Sequence, residues 1–296
     1  MKNAQNIIIP LWDADIPNYR EAGEENTEIS RDGLEVYTLI SKPEISVYLP
    51  SKRNANGQAV LIIPGGGYEA VVHVWEGDDV AKWLNSNGIA AIVLKYRLPH
   101  AKSNIERDKS PLLDAARAMR IIRANAEKWH IKKDNIGVMG FSAGGHLAST
   151  LGTHFNKSVF EIKDKDDSLS ARPDFMILIY PVISMSAEFA HEGSRYFFLG
   201  ENPDKELMEY YSNEKHITKD TPPTFLLHSS DDDVVPVENS IAFYKELVKN
   251  NIDTEMHIFQ HGEHGFSLAN GQGSVEAWKG LCVNWLKNFN KSINGL

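Results

Sequence analysis

Gly137 Val138 Met139 Gly140 Phe141 Ser142 Ala143 Gly144 Gly145 His146 sets one serine among small residues where an apolar, strand-like run gives way to helix-forming residues. A sharp turn from strand into helix forces its central residue into a strained backbone conformation. It tolerates only small neighbours, which Gly140, Ala143 and Gly144 supply. The spacing therefore predicts a nucleophile elbow, with the Ser142 oxygen standing clear and the Ala143 amide, at the start of the next helix, aimed at developing negative charge. A Gly/Ser turn of structural use alone fits the five-residue pattern too, so its surroundings must decide.

Upstream, Ile62 Ile63 Pro64 Gly65 Gly66 Gly67 Tyr68 is a glycine run directly after an apolar run, where backbone amides can approach a ligand without Cβ interference. It reads as a phosphate-binding turn, as the second half of an oxyanion hole completed by Ala143, or as a tight structural turn. No Lys followed by Ser or Thr closes it, so a nucleotide P-loop is excluded. Gly66 and Gly67 are the expected donors. Downstream, Asp231 Asp232 Asp233 follows the apolar run Phe225 Leu226 Leu227 His228, and Gln260 His261 Gly262 Glu263 His264 Gly265 Phe266 follows the last apolar run. The first offers an acid to orient an imidazole, or else a helix-capping or calcium-tolerant surface turn. The second offers two histidines, and no further His or Cys cluster supports a metal there. Serine, acid and histidine occur in that order, each after an expected strand, which is the triad order of one of the three familiar serine hydrolase folds.

Between these landmarks, short β-rich runs alternate with helix-periodic stretches, the pattern of an α/β protein whose mostly parallel sheet is covered on both faces. Strands are expected at Glu35 to Leu39, Ile45 to Leu49, Ala59 to Pro64, Ile89 to Tyr96, Ile136 to Phe141, Phe175 to Tyr180, Pro223 to His228 and Thr254 to Phe259. Helices are expected at Asp78 to Asn87, Pro111 to Glu127, Ala143 to Thr153, Asp204 to Asn213, Glu238 to Asn250 and Ser274 to Asn290. In the second helix Leu113, Ala116, Met119, Ile121 and Ile122 form the apolar side, and Arg117, Arg120 and Arg123 read as a solvated face. Ser51 to Gln58 and the charge-rich Glu161 to Ser170 are polar loops too short to link domains. The expectation is one domain over 1–296, with the irregular Ile183 to Pro222 region either a short cap over the site or a surface excursion.

Composition narrows the partners. With 31 basic and 40 acidic side chains in 296 residues the formal charge is −9, which argues against nucleic acid and anionic membranes. No run approaches the roughly 18 apolar residues of a membrane span. The N-terminal run Ile7 Ile8 Ile9 is no signal-peptide core, so the protein is expected to be soluble, cytoplasmic or exported with its signal peptide absent from this sequence. The lone Cys282, set among apolar residues, excludes an internal disulfide and a cysteine zinc site and reads as a buried thiol.

Over nearly its whole length the chain resembles the α/β-hydrolases of the acetyl-xylan-esterase and carbohydrate-acetylesterase group, relatives of the hormone-sensitive-lipase-like esterases. The likeness rests on Leu11 Trp12, Pro64 Gly65 Gly66 Gly67 Tyr68, Leu94 Lys95 Tyr96 Arg97 Leu98 Pro99 and Pro111 Leu112 Leu113 Asp114 Ala115. It continues through Ile136 to Ala148, Val234 Val235 Pro236 Val237 Glu238 Asn239 Ser240 and His264 Gly265 Phe266. In that family the catalytic acid is followed by three residues and then Pro, and the histidine directly precedes Gly-Phe. The resemblance thus implies Ser142, Asp232 and His264 as the triad. Hormone-sensitive-lipase-like enzymes carry His before the triple glycine; Pro64 stands here instead, as in the acetylesterase branch.

The resemblance implies deacetylation of xylan or xylo-oligosaccharides, while spacing alone supports an ester hydrolase acting on a small-molecule or oligosaccharide ester. Triad chemistry needs no cofactor and no metal. Tyr68, His73, Trp75 and Tyr180 lie near expected strand ends and either line a sugar-facing pocket, with Tyr68 the foremost substrate contact, or simply pack. The rival readings are a short-chain carboxylesterase without sugar preference, a prolyl-oligopeptidase-type peptidase, for which the accessory propeller is missing, and a non-catalytic binding relative.

Overall fold

The computed structural model of the chain describes residues 7–13, 15–22, 26–29, 33–157 and 164–293. Among the described residues, ten strands run in chain order as β1 (Ile7–Pro10), β2 (Asn26–Ile29), β3 (Glu35–Thr38), β4 (Glu44–Tyr48), β5 (Ala59–Ile63), β6 (Ala90–Lys95), β7 (Ile136–Phe141), β8 (Met176–Ile179), β9 (Thr224–Ser229) and β10 (Thr254–Phe259). The helices are α1 (Asp79–Ser86), α2 (Lys109–Ala124), α3 (Ala143–His154), α4 (Glu192–Leu199), α5 (Lys205–Tyr210), α6 (Glu238–Lys249) and α7 (Trp278–Ile293). A π-helical turn, Val74–Asp78, leads into α1.

One sheet collects eight strands in the order β1-β4-β6-β5-β7-β8-β9-β10. From β6 to β10 every pairing is parallel, whereas β1 and β4 join antiparallel. The central strands are apolar throughout because both faces are covered, and alternate side chains serve opposite cores. In β5, Leu61 and Ile63 pack toward α2, α3 and α6, while Val60 and Ile62 pack toward α1 and α7. Since α1 and α2 lie on opposite faces, the chain switches sides around β5. The crevice at the carboxyl ends of β5 and β7 is where such sheets place their chemistry.

Three details depart from the sequence reading. β3 pairs with β2 in a separate two-stranded sheet, outside the main one. Arg117, Arg120 and Arg123 are not a solvated face: each is under a tenth exposed. Arg117 pairs with Asp164 and Asp167, Arg123 pairs with Asp174 and donates to the carbonyls of Lys133 and Ser170, and Arg120 donates to the carbonyl of Leu169. The acidic loop over Glu161 to Ser170 therefore folds onto α2 from Asp164 on; its first three residues lie outside the described ones. The third departure is α4, a helix the sequence reading did not place, within the Ile183 to Pro222 region; α5 falls inside the helix expected at Asp204 to Asn213. Asn213 pins the region to α3, its amide donating to the carbonyl of His146 and to the hydroxyls of Ser149 and Thr150 at 2.8–3.1 Å. Cys282 is fully buried, as expected, and burial pushes its thiol above the ordinary range.

Candidate active site

Ser142 directly follows β7 and caps α3 with φ 51° and ψ −121°, a left-handed conformation that side-chain-bearing residues adopt only under constraint. The constraint comes from close packing. A Cβ on Gly144 would stand 2.1 Å from the carbonyl oxygen of Ile63 and 2.5 Å from that of Pro64, so only glycine lets the first turn of α3 approach the end of β5. The Ser142 amide is fixed to the carbonyl of Ile179 at 3.1 Å, and its carbonyl accepts from Val182 at 3.0 Å. The Ser142 side chain is left nearly buried, with its hydroxyl turned to His264.

Opposite it stands His264, on the loop after β10, with Nε2 2.9 Å from Ser142 Oγ and Nδ1 2.7 Å from Asp232 Oδ2. Of the three adjacent acids only Asp232 is buried; Asp231 and Asp233 are exposed. Asp232 Oδ1 accepts the amides of Val234 at 3.0 Å and Val235 at 2.8 Å. Its Oδ2 also faces His228 Nε2 at 3.1 Å. Burial would raise the Asp232 carboxyl, but hydrogen bonds from His228, His264 and the Val235 amide override it and hold the group well below the usual carboxylate range. An ionised carboxylate only accepts, so His264 carries its proton on Nδ1 and presents a bare Nε2 to the serine hydroxyl.

Each candidate from the sequence has a place in this geometry. Asp231 accepts the amides of Gly262 and Glu263 and pairs with the exposed His261, so these two hold the histidine loop rather than meet the serine. Gly65 abuts the elbow, since a Cβ there would lie 2.9 Å from Ser142 Cβ. Gly66 and Gly67 follow with φ 119° and 65°, and a Cβ on Gly66 would meet the Ala70 carbonyl oxygen at 2.3 Å. The Ala143 amide, at the first position of α3, has no carbonyl within its own helix to bond.

Tyr68 does not fit as a substrate contact. Its side chain has no exposed surface, its hydroxyl meets His146 Nδ1 at 2.7 Å, and its ring stacks on Phe198 of α4. His146 Nε2 faces the Tyr211 carbonyl at 2.8 Å, so the ring is protonated there and Nδ1 accepts the Tyr68 hydroxyl. Burial lowers His146 to about 4, which keeps it neutral. Tyr180 is likewise fully buried, and His73 nearly so. Sequence reasoning missed His228, although a polar residue near the end of an apolar strand was a visible signal. It also missed Glu76, for which no local pattern gave warning.

A family model described as BD-FAE matches residues 45–247, and the chain belongs to that family. It is similar to an acetylxylan esterase of Xylanibacter ruminicola, 35% identical over 252 residues that make up 84% of this chain and 48% of that protein. It is also similar to endo-1,4-beta-xylanase B of Butyrivibrio fibrisolvens, 35% identical over 90% of this chain and 40% of that one. The chain thus spans about half the length, or less, of these curated relatives. Among solved structures, the acetyl ester-xyloside bifunctional hydrolase from Caldicellulosiruptor lactoaceticus superposes with a TM-score of 0.82 at 41% identity, covering 96% of both chains. The fold is that of the α/β-hydrolases.

Proposed function

We propose that this protein is a serine esterase that removes acetyl groups from acetylated carbohydrate, xylan or xylo-oligosaccharides, through an acyl-enzyme on Ser142. The observation that carries the reading is the unbroken run from Asp232 through His264 to Ser142 Oγ, at 2.7 and 2.9 Å. The sugar ester comes from likeness to proteins named acetylxylan esterase and acetyl ester-xyloside bifunctional hydrolase. Residues 1–296 act as one domain, with 183–222 a short cap; the one-domain reading is supported by the eight-stranded sheet, whose members run from Ile7 to Phe259 with β2 and β3 set apart.

In this mechanism His264 Nε2 takes the Ser142 hydroxyl proton as Oγ bonds to the ester carbonyl carbon. The carbonyl oxygen becomes an oxyanion held by the amides of Ala143 and of Gly66 or Gly67, each donor worth about 10²–10³ in turnover. The intermediate collapses with cleavage of the bond from the carbonyl carbon to the sugar oxygen, His264 gives its proton to that departing oxygen, and acetyl remains on Ser142. Water, deprotonated by His264, adds to the acyl carbonyl; collapse breaks the bond to Ser142 Oγ, which takes the proton back, and acetate is released. No cofactor enters.

The buried Tyr68 and Tyr180 favour one rival, a short-chain carboxylesterase without sugar preference, because neither side chain is available to stack on a sugar. Acetate release from acetylated xylo-oligosaccharides, measured beside nitrophenyl acetate, butyrate and octanoate, separates the two. The acetylesterase reading predicts rapid acetate release and a steep fall beyond the acetyl ester. Activity on the nitrophenyl esters alone would leave the general esterase.

A further inference from the structure

Glu76 lies in the π-helical turn Val74–Asp78, is 4% exposed, and takes no part in the mechanism above. Its Oε2 accepts the Gly65 amide at 2.7 Å, and its Oε1 accepts the Tyr180 hydroxyl at 2.8 Å. The Tyr180 oxygen in turn accepts the Ser267 amide at 3.0 Å, and its ring packs edge-on against His264 with centroids 4.9 Å apart. The neighbouring residue repeats the connection. Trp75 Nε1 donates to the Gly265 carbonyl at 2.9 Å, and Ser267 Oγ donates to the Trp75 carbonyl at 2.6 Å. One turn therefore ties the loop leading to Gly66 and Gly67 to the loop that follows His264.

The charge state follows from the partners. Both carboxyl oxygens face donors, which suits an acceptor-only, ionised group; a protonated carboxyl would turn its own O–H onto one of them. Burial raises the Glu76 carboxyl above its ordinary value, and the hydrogen bonds from Tyr180 and Gly65 offset part of that rise. The groups that face it are Tyr180 at the end of β8, Tyr96 after β6 and His264 after β10. His264 itself faces Asp232, Ser142, Tyr180 and, from the segment before α4, His191.

We propose that Glu76 is a positioning residue for ester hydrolysis: an ionised brace that holds the Gly65 loop and the His264 loop in register with Ser142. This rests on the triad reading of the preceding section.

The test compares wild type, Glu76→Gln, Glu76→Asp and Tyr180→Phe on nitrophenyl acetate across about pH 5–9. Active sites are counted by a fluorophosphonate probe, and folding is followed by thermal melting. Glu76→Gln is expected to lower kcat per active site by about 10²-fold through loop displacement while KM changes little. Glu76→Asp, which keeps the carboxylate, and Tyr180→Phe, which removes one donor, should each lower kcat less and leave KM in place. A Glu76→Gln protein with a lower melting point but wild-type kcat per active site would overturn the proposal. If that variant does not fold, wild-type rates in both Glu76→Asp and Tyr180→Phe would overturn it instead. A wild type that the probe fails to label would sink the triad reading and the brace with it, whereas a labelled wild type beside indifferent variants sinks the brace alone.

Discussion

At the residue scale, rate hangs on two protons and one buried charge. Ser142→Ala removes the attacking oxygen and is expected to cut ester hydrolysis by about 10⁵-fold or more with the fold intact, measured as initial rates beside circular dichroism. Asp232→Asn keeps the shape but lets His264 take the wrong tautomer, so kcat should fall about 10⁴-fold. Asp232 also links stability to pH. Its folded-state carboxyl sits below its unfolded value, so its contribution is fully present above the unfolded range near pH ~4 and is lost as pH falls through the folded range. Urea midpoints should therefore drop less on acidification for Asp232→Asn than for wild type; equal drops would contradict this account. The identity of Ser142 was legible because an elbow needs small neighbours in sequence. Asp232 was not legible from spacing, since three adjacent acids look alike until the fold buries the middle one, and likeness to a family had to choose it.

At the element scale, the strand-to-helix junctions place the chemistry, and close backbone approach makes them vulnerable. Gly144→Ala would drive a methyl into the carbonyls that end β5, and the overpacking should cost about 1–3 kcal/mol. It should also lower activity per folded molecule, because Ser142 and the Ala143 amide share that turn; a melting point and rate equal to wild type would contradict the packing argument. The unbroken apolar runs of β5 and β7 and the small-residue start of α3 made these elements readable, since all three are buried on every side. The arginines of α2 were misread for a physical reason. Positions 117, 120 and 123 form the stripe expected of a solvent face, and their acidic and carbonyl partners lie on segments from 10 to 106 residues away in sequence. The helix α4 was missed because it is only eight residues long and Gly200 ends it, and it is held by contacts such as Phe198 on Tyr68.

At the scale of the whole molecule, one buried ion pair fastens the N-terminal segment to the sheet. Arg97 and Asp114, both fully buried, pair at 2.7 Å; the guanidinium also donates to the Pro17 carbonyl, and the Trp12 indole donates to Asp114. Asp114→Ala leaves the Arg97 charge buried and unpaired and should cost about 3–5 kcal/mol in urea unfolding. A cost below about 1 kcal/mol would mean the pair carries no such role. Alternating strands and helices predicted a mostly parallel sheet, yet the antiparallel edge of β1 and β4, and the side pairing of β2 with β3, follow from long-range register that local pattern does not encode. The central claim is that this sheet presents Ser142 as an activated nucleophile. Its most direct test is mass spectrometry of the chain after a fluorophosphonate probe, with Ser142→Ala and His264→Ala beside it. The account predicts a single adduct on the peptide containing Ser142, absent in the first variant and strongly slowed in the second. No adduct on an enzyme that still hydrolyses esters, or an adduct on another residue, would contradict it.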